Sequence, residues 1–162
     1  LALILAAKHD VETLVLLAPA VINTNRQIVL TPFLRHFITK RPGEVEFQGQ
    51  DPDDPEIAYL ASEYWRWKWP APAAELFSLQ RKAKSAAKHV RSKTMLIVSH
   101  GDTAVPVKVK ELLEKLLGDH LEKSVVLKKS RHTLPTDCEK ERVIAEVVSW
   151  YQAVRKREAP PV

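Results

Sequence analysis

The chain has 162 residues, 45% hydrophobic and 28% charged, which fits one soluble globular domain or a part of one. A single cysteine, Cys138, excludes an internal disulfide framework and a cysteine-based metal site, and favours a reducing, cytoplasmic setting. The net charge is +5, and no apolar stretch approaches membrane-spanning length, so stable membrane insertion is not expected.

The chain opens on "LALILAA", an apolar run with no capping residue before it. It has no basic flank and is too short to cross a bilayer, so it does not read as a targeting segment. It reads as the body of a helix over residues 1 to 9, as in a fragment cut inside that helix. "TLVLLA", 13–18, is continuously apolar between Asp10 and Pro19, the pattern of a strand buried on both faces.

Residues 20–80 have the character of an insertion. Pro32 sits near a helix start, ahead of the apolar stripe Phe33, Leu34, Phe37 and Ile38. "GEVEFQGQDPDDPE" is turn-rich and acidic, and reads as a loop. "YLASEYWRWKWPAPAAELFSL" then carries Tyr64, Trp65, Trp67 and Trp69. So long a connection between two strands reads as a lid or binding loop, whose aromatic residues line an apolar pocket or anchor the insertion.

"RKAKSAAKHVRSK" holds six Lys and Arg and no acid. At helical spacing Arg81, Lys84, Lys88 and Arg91 share one face, and Leu79, Ala83, Ala86, Ala87 and Val90 another. A solvated face is the ordinary reading; a patch for phosphate or an anionic surface is the alternative. With no interleaved aromatic residues, nucleic acid is not an expected partner.

The last third is regular. "TMLIVS", 94–99, predicts a second buried strand, and Pro106 opens a helix with Leu112, Leu113, Leu116 and Leu117 on its apolar side. Glu111 and Lys115 are spaced to pair, and Gly118 ends the helix. "SVVLKKS", 124–130, predicts a third strand. The final helix carries Val143, Ile144, Val147, Val148 and Tyr151 on its buried side, with Thr136 and Glu139 as a capping box, and "RKREAPPV" is a frayed tail. Strands alternating with helices predict an α/β fold with a parallel sheet, flanking helices and a helical insertion, in one partial domain over residues 1–162 with 20–80 as the lid.

In such a sheet, reactive groups gather at the carboxyl ends of the strands. Asp102 follows the second strand and His132 the third, so neighbouring strands would bring them to one rim. A carboxylate beside a histidine fixes its tautomer and lets it act as general base. No other histidine has carboxylates at ligand spacing, so no metal site is expected; His100 reads as a loop residue.

These segments also carry a resemblance. "LVLLAPAV", "WPAPAAELFSLQ", "LIVSHGDTAVP" and "SRHTLPTDCEKERV" resemble the carboxyl-terminal part of the carboxylesterase and monoacylglycerol-lipase-like branch of the α/β-hydrolases, over nearly the whole chain. The resemblance places Asp102 as the catalytic acid and His132 as the base, with Asp137 and Glu139 at the acidic positions that follow. Arg131 departs from the pattern, standing where a small residue is usual, and Cys138 where an aromatic is common. The family's Gly-x-Ser-x-Gly elbow does not occur in the 162 residues. Ser62, Ser78, Ser85 and Ser92 do not sit at strand-to-helix elbows, and Ser99 and Ser130 read as local turn formers.

The resemblance thus implies a serine ester hydrolase acting on an acyl ester without a cofactor, with Phe33, Phe37, Tyr64, Trp65, Trp67 and Trp69 in the lid. This chain by itself is expected to be inactive, because it lacks the nucleophile, and to self-associate through an exposed sheet edge. An acyltransferase or peptidase on the same fold, or a non-catalytic binding module, remains an alternative.

Overall fold

The computed structural model describes residues 1–45 and 53–158. In chain order it contains α1 (Ala2–Ala6), β1 (Thr13–Leu17), α2 (Thr31–Leu34), β2 (Arg41–Pro42), α3 (Pro55–Trp65) and β3 (Trp67–Lys68). Then follow α4 (Pro70–Ala87), β4 (Lys93–Ser99), α5 (Val109–Leu117), β5 (Leu121–Leu127) and α6 (Lys140–Glu158). The middle of the acidic loop expected over 43–56, residues 46–52, lies outside the described residues, as do 159–162 of the tail.

The chain divides into two compact units, one of Leu1–Thr24 with Gln80–Val162, the other Asn25–Leu79. The first unit is built on a parallel three-stranded sheet in the order β1-β4-β5, with Leu16 opposite Leu96 and Leu96 opposite Ser124. β4 is central and is buried from Thr94 to Ser99, because helices cover both faces. Leu96 and Val98 face a cluster with Leu3 of α1, Ala83 and Ala87 of α4, and Val109, Leu113 and Leu117 of α5. Met95 and Ile97 face the other side, against Val125, Leu127, Leu134 and the α6 residues Val143, Trp150 and Val154. Burial of each such side chain stabilises the fold by about 1.5–3 kcal/mol, so this double-faced strand is the backbone of the unit.

α5 ends where expected, at Gly118, whose φ of 55° is the left-handed conformation a glycine adopts without strain. The i,i+4 pair on this helix is Lys110–Glu114, at 2.5 Å, rather than Glu111–Lys115.

Several expectations shift. The first helix spans Ala2–Ala6, shorter than 1–9. The third strand is Leu121–Leu127, three residues earlier than 124–130; it starts where Leu121 pairs with Thr94 and stops where the next N–H groups turn to a side chain. Glu139 does not close a capping box with Thr136: its carboxylate binds the backbone that follows β5, and Thr136 ends a short 3-10 turn, Leu134–Thr136.

The last helix runs through Arg155–Arg157 instead of fraying, and Arg157 pairs with Glu122 at 2.7 Å. Its buried face is Val143, Val147, Trp150 and Val154, at i, i+4, i+7 and i+11. Ile144, Val148 and Tyr151 lie one residue on around the helix and are exposed. Trp150 helps fix the choice: its ring is buried and its indole N–H donates to Glu122 at 3.3 Å.

In the second unit, Asn25 caps a 3-10 turn, Arg26–Leu30, that leads into α2. Asp54 caps α3 by accepting from the N–H of Glu56 at 2.9 Å. β2 and β3 pair antiparallel, and Arg35 bridges to Glu75 at 2.7 Å. No helix among the described residues is long and apolar enough to cross a membrane.

Candidate active site

β4 and β5 are neighbours and parallel, so their carboxyl ends open on the same rim. Beyond β4 the chain turns at His100 and Gly101 into Asp102. One carboxylate oxygen of Asp102, Oδ1, accepts from the N–H groups of Ala104 at 2.8 Å and Val105 at 2.9 Å. This is the turn an aspartate makes with the backbone two and three residues on, and buried Val105 anchors it in the core. Thr24, from the segment after β1, donates its hydroxyl to the carbonyl of Thr103 at 2.9 Å.

The other oxygen, Oδ2, lies 2.9 Å from Nδ1 of His132. The Asp102 side chain is 1% exposed and that of His132 43%, so the carboxylate is enclosed while the imidazole reaches solvent. A carboxylate oxygen accepts, so Nδ1 carries the proton in the neutral ring and Nε2 carries the lone pair. This is the arrangement a general base requires.

The two loops are tied together below this pair. Ser99, the last residue of β4, donates its hydroxyl to the carbonyl of Ser130 and accepts from the N–H of Gly101 at 3.1 Å. Gly101 passes so close to the other loop that a Cβ built on it would stand 2.4 Å from the carbonyl oxygen of Lys129. On the far side, Glu139 accepts from the N–H groups of Lys128, Lys129 and Ser130, and Asp137 accepts from that of Arg131. These backbone hydrogen bonds are the largest cause that lowers both carboxyl pKa values, Glu139 to about 2.

The structure thus brings together the two residues singled out as acid and base. His100 is exposed, and its N–H donates to the carbonyl of Leu127 rather than its ring competing for Asp102. Ser92 is buried at the amino end of β4, the opposite end from Asp102. Ser99 and Ser130 lie beside the pair, but both hydroxyls are buried and occupied. The Cys138 residue is exposed, with its sulfur 4.0 Å from the Ser130 hydroxyl.

The aromatic residues belong to the second unit. Phe33 and Phe37 pack with ring centroids 5.1 Å apart, and Tyr64 meets Trp65 edge-on at 5.0 Å. Lys40 lays its ammonium 4.1 Å from the ring of Trp67 and 5.9 Å from that of Trp69. Phe33, Phe37 and Tyr64 are among the most exposed large apolar side chains described. Among the described residues no group of three His, Cys, Asp or Glu side chains is placed to hold a metal ion.

Ser99 does form the local turn expected of it, accepting from the N–H of Gly101; sequence reading missed the tie it makes between the two loops, and the roles of Ser130, Gly101 and Glu139. The only signal was position: a serine at the end of each strand motif, a glycine before the aspartate and a glutamate seven residues past the histidine.

No protein-family model matches the sequence, and no curated protein matches it either. Solved structures do match. The monoacylglycerol lipase of Paleococcus ferrophilus superposes with a TM-score of 0.67 at 14% identity, covering 92% of this chain and 62% of that one. A structure described with LipS and LipT, two metagenome-derived lipolytic enzymes, gives 0.68 at 14% identity, covering 95% and 60%. The peroxisomal α/β-hydrolase Lpx1 of Saccharomyces cerevisiae gives 0.56 at 16% identity, covering 99% and 52%. The chain therefore spans between about half and just over three fifths of the length of these proteins. With its parallel sheet, its flanking helices and these structural neighbours, the chain has a partial α/β-hydrolase fold, the fold of lipases and esterases.

Proposed function

We propose that this chain carries the acid and base of a serine carboxylic-ester hydrolase. The observation that carries the reading is the buried Asp102 carboxylate 2.9 Å from Nδ1 of the half-exposed His132. In the whole protein, a serine outside these 162 residues attacks the ester carbonyl. His132 takes its proton at Nε2 and passes it to the leaving alcohol, and Asp102 stabilises the imidazolium between those steps. The insertion over residues 20–80, most of which is the compact unit Asn25–Leu79, is the proposed lid, and its exposed Phe33, Phe37 and Tyr64, with the three tryptophans, select a medium or long acyl chain. The single cysteine supports a cytoplasmic placement. In the 162-residue chain taken alone, β1 and β5 are the outer strands of the sheet, and self-association through them is part of the proposal.

The test is hydrolysis of p-nitrophenyl butyrate and of a longer acyl ester, by this chain and by the full-length product of its reading frame, each beside its His132→Ala variant. Activity in the full-length protein, lost by on the order of a millionfold on substitution, supports the reading. Hydrolysis that survives His132→Ala, or a full-length protein inert on both esters, overturns it.

A further inference from the structure

β5 ends at Leu127, and the four N–H groups that follow it all turn to carboxylates. Glu139 accepts from Lys128 at 3.1 Å, Lys129 at 2.8 Å and Ser130 at 2.9 Å, and from the Ser130 hydroxyl at 3.1 Å. Asp137 takes the fourth, from Arg131. Backbone donors past the end of a ladder need a partner, and here one side chain supplies it to three residues in a row. Charge-assisted bonds of this kind are stronger and more directional than neutral ones.

Glu139 immediately precedes α6, yet its carboxylate looks back nine to eleven residues instead of serving the helix's own N–H groups. From the other side, the Ser99 hydroxyl holds the Ser130 carbonyl. Ser130 is fully buried between the two grips, and His132 follows it by two residues. The imidazole itself is 43% exposed, so packing does not enclose it as it encloses Asp102. Its position depends on the backbone that delivers it.

We propose that Glu139 is a positioning residue: by fixing the backbone of Lys128–Ser130 it keeps Nδ1 of His132 within hydrogen-bond reach of Asp102. The consequence for rate rests on the hydrolase reading above; the placement of the ring does not.

The experiment uses the full-length protein and its Glu139→Gln variant, which keeps the shape and removes the charge. Ester hydrolysis is followed together with the downfield proton resonance of the His132 Nδ1–H. The expected result is a fall in kcat of about ten- to a hundredfold with KM unchanged, the size of effect that small misplacement of a catalytic group produces. The His132 resonance should broaden through faster exchange with water.

If Glu139→Gln folds poorly, Glu139→Asp keeps the charge but is too short to reach all three N–H groups, and the same two changes are expected. Faster amide exchange at 128–130, or a lower Tm, with kcat and the His132 resonance unchanged, overturns the proposal. If the parent hydrolyses no ester, or His132→Ala remains active, the hydrolase reading fails. The His132 resonance then still decides whether Glu139 positions the ring.

Discussion

Gly101 runs against the backbone of Lys129, with room for a hydrogen and not for a methyl group. The two loops that carry Asp102 and His132 therefore meet backbone to backbone. Gly101→Ala should force them apart, since the atoms it meets are carbonyl groups and not flexible side-chain ends. We expect a loss of about 1–3 kcal/mol in denaturant unfolding, the usual cost of overpacking. Ester hydrolysis in the full-length protein should fall as well, because the pair is pulled beyond hydrogen-bond reach.

Asp102→Asn separates charge from geometry. The amide oxygen can still accept from Ala104 and Val105, so the turn survives and stability should change little. The imidazolium, however, loses its counter-charge and the ring is offered the wrong hydrogen-bond partner. In the full-length protein kcat should drop by about ten-thousandfold. Asp102→Ala should add a stability loss of about 1–3 kcal/mol, since two N–H groups lose their acceptor. A variant series of kcat against unfolding free energy checks both.

Acid should loosen the histidine loop. The Glu139 pKa is lowered from its ordinary 4.5 to about 2, chiefly by the N–H groups of Lys129 and Ser130, and that of Asp137 is lowered by those of Arg131 and Cys138. For a carboxyl depressed by folding, the stabilisation is fully present above the unfolded value and is lost as pH falls through the folded one. Wild type should therefore exceed Glu139→Gln in stability at pH 6, and the gap should close between about pH 4.5 and pH 2. Urea unfolding at a series of pH values measures it; a gap that does not change with pH would exclude the charged clamp.

The face of α6 offers a sharper test of the fold. Trp150→Ala should cost about 3–5 kcal/mol, since the ring is buried in the cluster that α6 forms with β4 and β5 and its indole N–H meets Glu122. Val148→Ala, on the exposed stripe beside it, should stay within about 0.5 kcal/mol. Thermal or chemical unfolding of the two variants tells the faces apart.

That contrast also shows what the sequence could and could not reveal. "TMLIVS" is apolar without interruption, and only a strand covered on both sides has use for that, so β4 was legible. The meeting of Asp102 and His132 was legible for a related reason: each follows an apolar run that reads as a strand, and parallel neighbours bring such carboxyl ends together even where, as in β5, the end itself is misjudged by three residues. α6 was different. Val143, Ile144, Val147, Val148, Trp150, Tyr151 and Val154 are all apolar, so the periodicity admits two stripes about 100° apart. Packing against β4 and β5 chooses between them, and no local pattern records that choice.

Glu139 was harder still. Three residues after a threonine and just before a helix, it fits a capping box perfectly well on spacing. Its actual partners lie nine to eleven residues back, around a turn whose path is set by the bonds themselves. The C-terminal limit of β5 follows from the same fact, since N–H groups given to Glu139 are withdrawn from the ladder.

The enclosure of Asp102 has a consequence for reagents as well as for substrates. His132 is a base with one end already committed, and the open end is Nε2. An alkylating acid such as bromoacetate has two nitrogens to choose from on an ordinary surface imidazole. Here the carboxylate makes the choice, and the label should be found on Nε2 alone. His9, His36, His89, His100 and His120 are also exposed, and among the described residues no carboxylate is seen to hold their rings as Asp102 holds that of His132, so they should give mixed products. Peptide mapping of the labelled chain would thus read the hydrogen bond to Asp102 as a regiochemical signature.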